Sequence, residues 1–337
     1  MRFIGVDLHT TQITVCLLNE AEKPQTKTYP LAKMAEFIKE LKPTDQVAVE
    51  ATGNTNWFVG QIENQVERVV IVEPRSFEVI RRSVKKTDER DAEALANFLR
   101  AGLLPEARRR TPEQEAVRSL AQTREKLIGL RTKLINQTHA LLVRHGQKEK
   151  RERLTGSKGL AQVIEKYEWS EAERVELEVI RQQVEALGEG IRKLDKAISE
   201  AGEQLRGFEN LVSIKGIGVK SAAVLLSVIG EVRDFKSEDR LASYFGIVPR
   251  VRNSNETVHH GRITKQGSRM GRTTLVQCTL VAIRYSPYLR KFYQAVKERR
   301  GAGKAIIAAA RKFLGIIYNT LKNDWVFEDF PNFVLAE

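Results

Sequence analysis

The sequence predicts an α/β domain at the start of the chain, a central antiparallel helical coiled coil, and a mostly α-helical domain at the end. Over residues 1–105, short β-branched runs alternate with helical patterns. Between residues 113 and 207, apolar residues recur at steps of three and four along two long stretches. Residues 208–330 show the apolar spacing of short packed helices. These ranges are the three domains that we expect.

The first domain opens with two apolar, β-branched runs at residues 2–8 and 12–18, separated by a short polar turn. This pattern is typical of a β-hairpin. The segments KTYPL, QVAVE and VVIVE are further strand candidates, and helical patterns lie at about residues 31–41 and 55–65. The resulting order, ββ(β)αβαβα, is typical of an α/β domain.

Two long helices are predicted in the middle of the chain. The second has strict heptad spacing, with apolar residues at Leu177, Ile180, Val184, Leu187, Ile191, Leu194, Ile198, Ala201 and Leu205. Such a repeat favours a coiled coil, formed either between chains or as a helical hairpin within one chain. The charged segment KEKRERLTGSKG between the helices predicts a mobile turn or one that touches nucleic acid.

The composition indicates which partners and which cellular compartment to expect. A net charge of +13 favours a polyanion, and 42% apolar residues support folded cores. Cys16 and Cys278 lie singly in apolar stretches, which excludes a disulfide framework or a zinc motif and predicts buried packing residues. An aspartate interrupts the first apolar run and no apolar stretch approaches bilayer length, so we expect no leader, no membrane partner and a cytoplasmic protein.

Four carboxylates are the strongest chemical signal. Asp7 lies in the run FIGVDL, Glu50 ends QVAVE, and Asp88 and Asp91 open the helical stretch TDERDA. Singly, each has an ordinary explanation: a strand-end glutamate is usually solvated, and Asp88 would be a helix cap. Together they reproduce the ribonuclease-H-like ligand layout, in which two divalent ions about 4 Å apart serve phosphodiester chemistry. We therefore predict a magnesium site, with Lys85 and Lys86 placed to meet phosphate.

Two other motifs leave alternatives open. The letters around Asp7, followed by HTT, also suit the first phosphate loop of an actin-like ATPase, although the Gly-rich loops such a protein needs are not found. Gly216 and Gly218 lie between two apolar helices. They are consistent with a helix-hairpin-helix turn whose backbone amides bind phosphate, or with an ordinary turn that needs a positive φ.

A one-sided basic segment runs from Gly246 to Arg272 and predicts a loop that holds phosphate. Its only acid is Glu256. Ser254 lies at its centre and would be a nucleophile if cations stabilised its alkoxide, although a loop serine is ordinarily a turn residue. The basic residues are Arg250, Arg252, Arg262, Lys265, Arg269 and Arg272.

The four carboxylates, joined to GIVP, a serine five residues past that proline, and GRITKxG, resemble the DEDD-type insertion-sequence transposases related to the Piv DNA invertases. The resemblance spans almost the whole chain and implies a ribonuclease-H-like (RuvC-like) domain, a coiled coil and a C-terminal transposase domain. It implies that Asp7, Glu50, Asp88 and Asp91 bind Mg²⁺. Ser254 would attack the DNA backbone to form a phosphoserine. Asn255 departs from the pattern, because the family usually has glycine after the serine.

The same resemblance implies partners and a location. Donor and target double-stranded DNA would be paired through a structured non-coding guide RNA, and the protein would act as a dimer or tetramer. It would work in the bacterial cytoplasm, associated with the nucleoid when active. The expected function is RNA-guided DNA recombination. The alternatives are a hydrolytic RuvC-like junction-resolving endonuclease and an actin-like ATPase that binds nucleic acid.

Overall fold

A computed structural model of the protein describes residues 1–19, 23–74, 77, 87–254 and 257–334, without the side chains of residues 252–260. The contacts divide the chain into two compact units, Met1–Arg109 and Arg110–Glu337. The predicted separation of the second unit at residue 208 stays a prediction, because one hydrophobic core joins residues on both sides of that position. Among the described residues, each helix is too short or too polar to cross a bilayer.

The first unit is built on a five-stranded sheet with the order β3-β2-β1-β4-β5. Neighbours among β1, β2 and β3 are antiparallel, whereas β4 runs parallel to β1 and β5 runs parallel to β4. This topology confirms the predicted α/β domain and its hairpin start. The strands are β1 (Arg2–Leu8), β2 (Gln12–Leu18), β3 (Gln25–Pro30), β4 (Asp45–Glu50) and β5 (Arg68–Val72).

Helices cover both faces of this sheet. Helices α1 (Met34–Glu40) and α2 (Thr55–Ile62) contribute Phe37 and Phe58 to the core on one face. Helix α3 (Asp88–Arg100) covers the other, where small alanines pack beside Cys16. Cys16 is therefore a buried packing residue, as predicted.

Gly5 allows α3 to approach the sheet closely. A Cβ at Gly5 would lie 2.0 Å from the carbonyl oxygen of Ala92 and 2.5 Å from the backbone nitrogen of Ala96. Real side chains do not tolerate such distances, so β1 and α3 meet only because residue 5 is glycine. The contact lies one helical turn from Asp88 and two residues from Asp7, and it therefore positions both carboxylates.

The second unit begins with a pair of 33-residue helices, α4 (Pro112–Arg144) and α6 (Glu171–Glu203). They are antiparallel, because Gln137 bonds Glu176 while Arg124, nearer the start of α4, bonds Asp195, nearer the end of α6. The heptad residues of α6 are largely buried within the chain. Pairing within one chain thus accounts for the repeat, and supercoiling of the pair stays a prediction.

The segment between these helices was predicted as a turn, but it is partly helical, and its contact with nucleic acid stays a prediction. It forms a further helix, α5 (Ser157–Lys166), after a short helical turn in which Leu154 is fully buried. Leu154, Leu160 and Val163 pack against the α4–α6 pair. Apolar residues at helical spacing within the charged sequence explain why it folds onto the pair.

The remaining helices surround one hydrophobic core, as predicted for the end of the chain. Cys278 is buried in it. The helices are α7 (Phe208–Val212), α8 (Val219–Ile229), α9 (Glu238–Tyr244), α10 (Arg269–Tyr285), α11 (Pro287–Arg300) and α12 (Ala302–Lys322).

The basic segment was predicted as a loop, and this is wrong for most of its length. Strands β6 (Pro249–Ser254) and β7 (Thr257–Ile263) form a two-stranded antiparallel ribbon. β-branched residues in the two strands, such as Val251, Val258 and Ile263, favour extended backbone in spite of the charge. Gly246 at the base has a φ of +66°, and a Cβ there would lie 2.0 Å from the carbonyl oxygen of Gln266.

Asp195, on α6, forms ion pairs with two basic side chains, Arg124 on α4 and Lys220 on α8. Arg124 donates to one carboxylate oxygen, and the ammonium of Lys220 lies 3.1 Å from the other. Burial raises the pKa of Asp195, but the bonds from Arg124 and Lys220 outweigh it, so the net shift is downward. A carboxyl with a lowered pKa in the folded state stabilises the fold above its unfolded pKa and loses this contribution as the pH falls through its folded pKa.

Replacing Asp195 with asparagine is therefore expected to lower the free energy of unfolding at pH 7. The difference from the wild type should shrink as the pH is lowered below 4. Urea unfolding of the wild type and of the Asp195→Asn variant, at pH 7 and at a pH below 4, measures this difference in the free energy of unfolding. Lys196→Gln, which changes an exposed neighbour on the same helix, is the control. An equal difference at both pH values would contradict the ion-pair explanation.

Candidate metal centre

The first turn of α3 carries Asp88 and Asp91. Thr87 caps this helix, because its hydroxyl oxygen accepts a hydrogen bond from the backbone N–H of Arg90 at 3.4 Å. The alternative in which Asp88 is the cap is therefore wrong. Its carboxylate instead accepts a hydrogen bond from the side-chain amide of Gln12 at 3.4 Å. Asp91, one turn further on, is buried.

A cluster of three ligand-type side chains lies where β1 ends. Nε2 of His9 is 3.2 Å from Oδ2 of Asp7 and 3.4 Å from Oδ1 of Asp88. Each of the three side chains offers one ligand atom, and these atoms all lie within 4.8 Å of one another. Two carboxylate oxygens and an imidazole nitrogen at this spacing fit a divalent cation.

The pKa of Asp7 responds to the charge of Asp91 as well as to that of Asp88. Burial raises the pKa of Asp7, His9 acts against this, and the charges of Asp88 and Asp91 raise the pKa further. The carboxylates of β1 and α3 are therefore close enough to repel one another. Like charges held together in a half-buried position are unfavourable unless a cation balances them.

Glu50 is the last residue of β4, the strand that pairs with β1. Val49 pairs with Val6 in the parallel strands β4 and β1, so one further residue sets Glu50 beside Asp7. The hydroxyl of Thr55, at the start of α2, donates to the backbone carbonyl of Glu50 at 2.8 Å and holds the strand end. Glu50 is not one of the three clustered side chains, but it ends the strand adjacent to them.

His9 is not among the metal ligands predicted from the sequence. The signal that could have found it is the spacing from Asp7, since residues two apart on a strand point to the same face. A histidine two residues after a candidate ligand, at a strand end, is therefore a ligand candidate as well. Lys85 and Lys86, predicted to meet phosphate beside this site, lie outside the described residues.

The candidate nucleophile lies in the second unit. Ser254 is the last residue of β6, and its backbone pairs with Thr257 of β7. Asn255 and Glu256, between the strands, lie outside the described residues, as do the side chains of Ser254 and Arg252. A role for Ser254 therefore stays a prediction.

The other predicted cationic residues differ in their surroundings. Arg250, Arg262 and Lys265 are exposed on the ribbon and at its base. Arg269 is also exposed, and its guanidinium lies 4.0 Å from the carboxylate of Glu125. Arg272 instead points inward, because its guanidinium donates to the carbonyl of Phe245 at 3.1 Å. Burial lowers the pKa of Arg272, and the charge of Arg269 lowers it further.

Gly216 and Gly218 lie in the turn between α7 and α8. Gly216 has a φ of +115°, and a Cβ there would lie 2.7 Å from the backbone nitrogen of Ala282. The turn thus needs glycine for both conformation and packing. A pocket of about 450 Å³ opens beside it and is lined by Lys215, Gly218, Ser221, Cys278 and Tyr285, among others. Phosphate binding by the two glycines stays a prediction.

Comparisons with known proteins match both units. A family model described as a transposase of the DEDD, IS110 type matches residues 4–146. A second, described as the transposase IS116/IS110/IS902 family, matches residues 208–294.

Relatives are similar over most of the chain. The transposase for insertion sequence element IS1111A of Coxiella burnetii is 26% identical, over 95% of this chain and 90% of its own length. The transposase for IS1328 of Yersinia enterocolitica is 25% identical, over 96% and 98%. The pilin gene-inverting protein of Moraxella lacunata is 28% identical, over 60% of this chain and 70% of its own length.

A ribonuclease-H-like sheet that gathers acidic residues from β1 and α3, followed by a helical unit, defines a DEDD-type transposase, an enzyme class that cleaves DNA and transfers strands. The chain belongs to the IS110/IS116 family of these insertion-sequence transposases. The DEDD domain and the clustered side chains indicate a divalent metal. The family matches favour a transposase over the actin-like ATPase alternative.

Proposed function

We propose that this transposase is an RNA-guided DNA recombinase that uses Mg²⁺ and forms a covalent phosphoserine at Ser254. The observation that carries the proposal is the convergence of carboxylates from β1 and α3 at one end of the sheet. It rests also on the match of the second unit to a transposase family.

In this proposal Asp7, Glu50, Asp88 and Asp91 hold the metal. When bound, Mg²⁺ balances the charge that develops on the phosphate and on the leaving oxygen. Asp7 and Glu50 come from neighbouring strands of a rigid sheet, and the contact at Gly5 fixes α3 against it. The four carboxylates thus present hard oxygen donors from elements that do not rearrange when a cation arrives.

Ser254 supplies the nucleophile. As its Oγ loses its proton and forms a bond to phosphorus, the bond from phosphorus to one deoxyribose oxygen breaks and that oxygen takes up a proton, so no net proton is gained or lost. The phosphodiester energy is kept in the serine ester, so strands can be exchanged without an added energy source. Exposed Arg250 and Arg262, on the two strands of the ribbon, supply positive charge near the DNA phosphates.

In this proposal, base pairing rather than the protein recognises the donor and target DNA sequences. The net charge of +13 suits binding of nucleic-acid backbones, which gives affinity but no sequence information. A structured guide RNA that pairs with donor and target DNA would supply that information, and Lys265, Arg269 and the turn at Gly216 and Gly218 would hold backbone phosphates. Dimers or tetramers would bring two DNA ends together. The buried heptads of α6 are used within the chain, so an assembly interface lies elsewhere.

The test is a covalent protein–DNA adduct formed by the full chain with Mg²⁺, co-purifying RNA and matched DNA. Ser254→Ala is expected to abolish the adduct and recombination, because alanine has no oxygen to form the ester. Denaturing gel electrophoresis of labelled DNA measures the adduct. Ser237→Ala, which removes a partly buried helix-capping serine in the same unit, is the matched control and should keep the adduct.

Three outcomes would contradict the proposal. An adduct formed by Ser254→Ala would remove this residue as the nucleophile. Cleaved DNA with free 5′-phosphate ends and no adduct, in the wild type, would instead support the hydrolytic junction-resolving alternative. Activity that is unchanged after ribonuclease treatment would contradict RNA guidance.

A further inference from the structure

We propose that His9 is itself a ligand of the catalytic cation and makes this site bind Mn²⁺ more tightly than Mg²⁺. The inference rests on the proposed function, because it assigns a further ligand to the same metal site. It adds a nitrogen donor to a set that would otherwise consist of oxygen donors alone.

The distances around His9 match those between neighbouring ligands of one ion. With bonds of about 2.1 Å, adjacent ligands of an octahedral cation lie about 3 Å apart, and opposite ligands about 4.2 Å apart. Nε2 of His9 lies 3.2 Å from Oδ2 of Asp7 and 3.4 Å from Oδ1 of Asp88. One ion could therefore meet all three side chains with little adjustment.

The backbone of His9 is held from two sides. Its N–H donates to the carbonyl of Gln12 at 3.0 Å, which closes the turn between β1 and β2. Its carbonyl accepts a hydrogen bond from the side-chain amide of Asn54 at 3.0 Å. A residue anchored at both backbone groups presents its ring from a fixed position, as metal ligands require.

The surrounding residues also orient the partner carboxylate. The amide of Gln12 donates to Oδ2 of Asp88, while Oδ1 faces His9. One carboxylate oxygen is thus occupied by a protein donor, and the other is directed at the imidazole. Such outer hydrogen bonds are typical of built metal sites.

The chemistry of the donors sets the metal preference. Mg²⁺ strongly prefers oxygen ligands, whereas imidazole nitrogen suits transition-metal ions better. Mn²⁺ accepts carboxylates and imidazole alike. The mixed set of Asp7, His9 and Asp88 therefore favours Mn²⁺, although the carboxylates still allow Mg²⁺ to bind.

The experiment uses Mn²⁺ as both ligand and spectroscopic probe on the full chain. Pulsed electron paramagnetic resonance is expected to show coupling of bound Mn²⁺ to a directly bonded nitrogen. His9→Asn should lose this coupling and bind Mn²⁺ at least about tenfold more weakly, while Mg²⁺ affinity, from competition, should fall less. His145→Asn is the matched control, because His145 also lies beside a carboxylate, 2.8 Å from Glu173, in the second unit.

The outcomes separate this inference from the proposed function. If Mn²⁺ binds in a way that Asp7→Asn abolishes, but without nitrogen coupling, His9 is not a ligand and the carboxylate site stands. Coupling that survives in His9→Asn would likewise overturn the inference. If the wild type binds neither ion, the inference and the metal-dependent function both fail. His9 is about half exposed at a strand end, so its replacement should leave the fold intact, which circular dichroism checks.

Discussion

Asp7→Asn is expected to abolish DNA strand cleavage, with a loss of more than about 100-fold, while DNA binding is retained. The change removes the ligand charge at the end of β1 without altering the shape of the side chain. Metal affinity should fall with activity, since Asp7 contacts His9 and its charge is coupled to Asp88 and Asp91. Cleavage of labelled DNA and a separate binding assay, at the same salt concentration, measure the two effects.

Folding should not suffer from this change. Because the pKa of Asp7 is raised in the folded protein, its ionised form opposes folding at pH 7 when no metal is bound. The neutral amide lacks this penalty, so the free energy of unfolding of the metal-free variant should be equal to or above that of the wild type. A variant that keeps wild-type cleavage would exclude Asp7 as a metal ligand.

Gly5→Val is expected to remove metal binding and to destabilise the first unit, although residue 5 is not a ligand. Even the Cβ would overlap the carbonyl oxygen of Ala92 at 2.0 Å, so α3 must move away from the sheet. Overpacking of this kind typically costs about 1–3 kcal/mol. The displacement separates Asp88 and Asp91 from Asp7, and Mn²⁺ titration together with urea unfolding measures both effects.

Gly60→Ala is the matched control for this experiment. Gly60 lies within α2, and a Cβ there would meet nothing within 4 Å. Alanine in place of glycine in a helix is stabilising by about 1 kcal/mol, so this variant should bind metal normally and unfold at higher urea concentration. Normal Mn²⁺ binding by Gly5→Val would show that the close helix–sheet contact does not position the ligands.

Much of the first unit is predictable because its signals are local. Strands β1, β2, β4 and β5 carry apolar, largely β-branched residues, and the four carboxylates lie where strands end or a helix begins. Residues such as Asp7 and Glu50 could be assigned from that placement. Their proximity depends on the parallel register of β1 and β4, which follows from the strand order of such a domain.

Other features depend on contacts between distant segments. His9 meets Asp88 only when α3 packs on Gly5. Residues 5 and 88 are about 80 positions apart, and no local pattern encodes that contact. The ribbon was missed for a different reason. Its charged residues dominate the composition, while only a few β-branched residues, such as Val251 and Ile263, favour extended backbone. Arg272 was counted with the exposed cations, although a backbone carbonyl holds it inward.

The antiparallel helix pair also has a fixed length. At about 1.5 Å per residue, a 33-residue helix extends about 50 Å, which equals the length of about 15 base pairs of duplex. Each helix begins with a capping box, at Thr111 and at Ser170, so neither start frays easily. Since α5 packs against Ile135 and Leu142 towards one end of the pair, while Val117 and Ala121 join the core of the second unit towards the other, the two long helices hold these parts of the unit apart at a set distance.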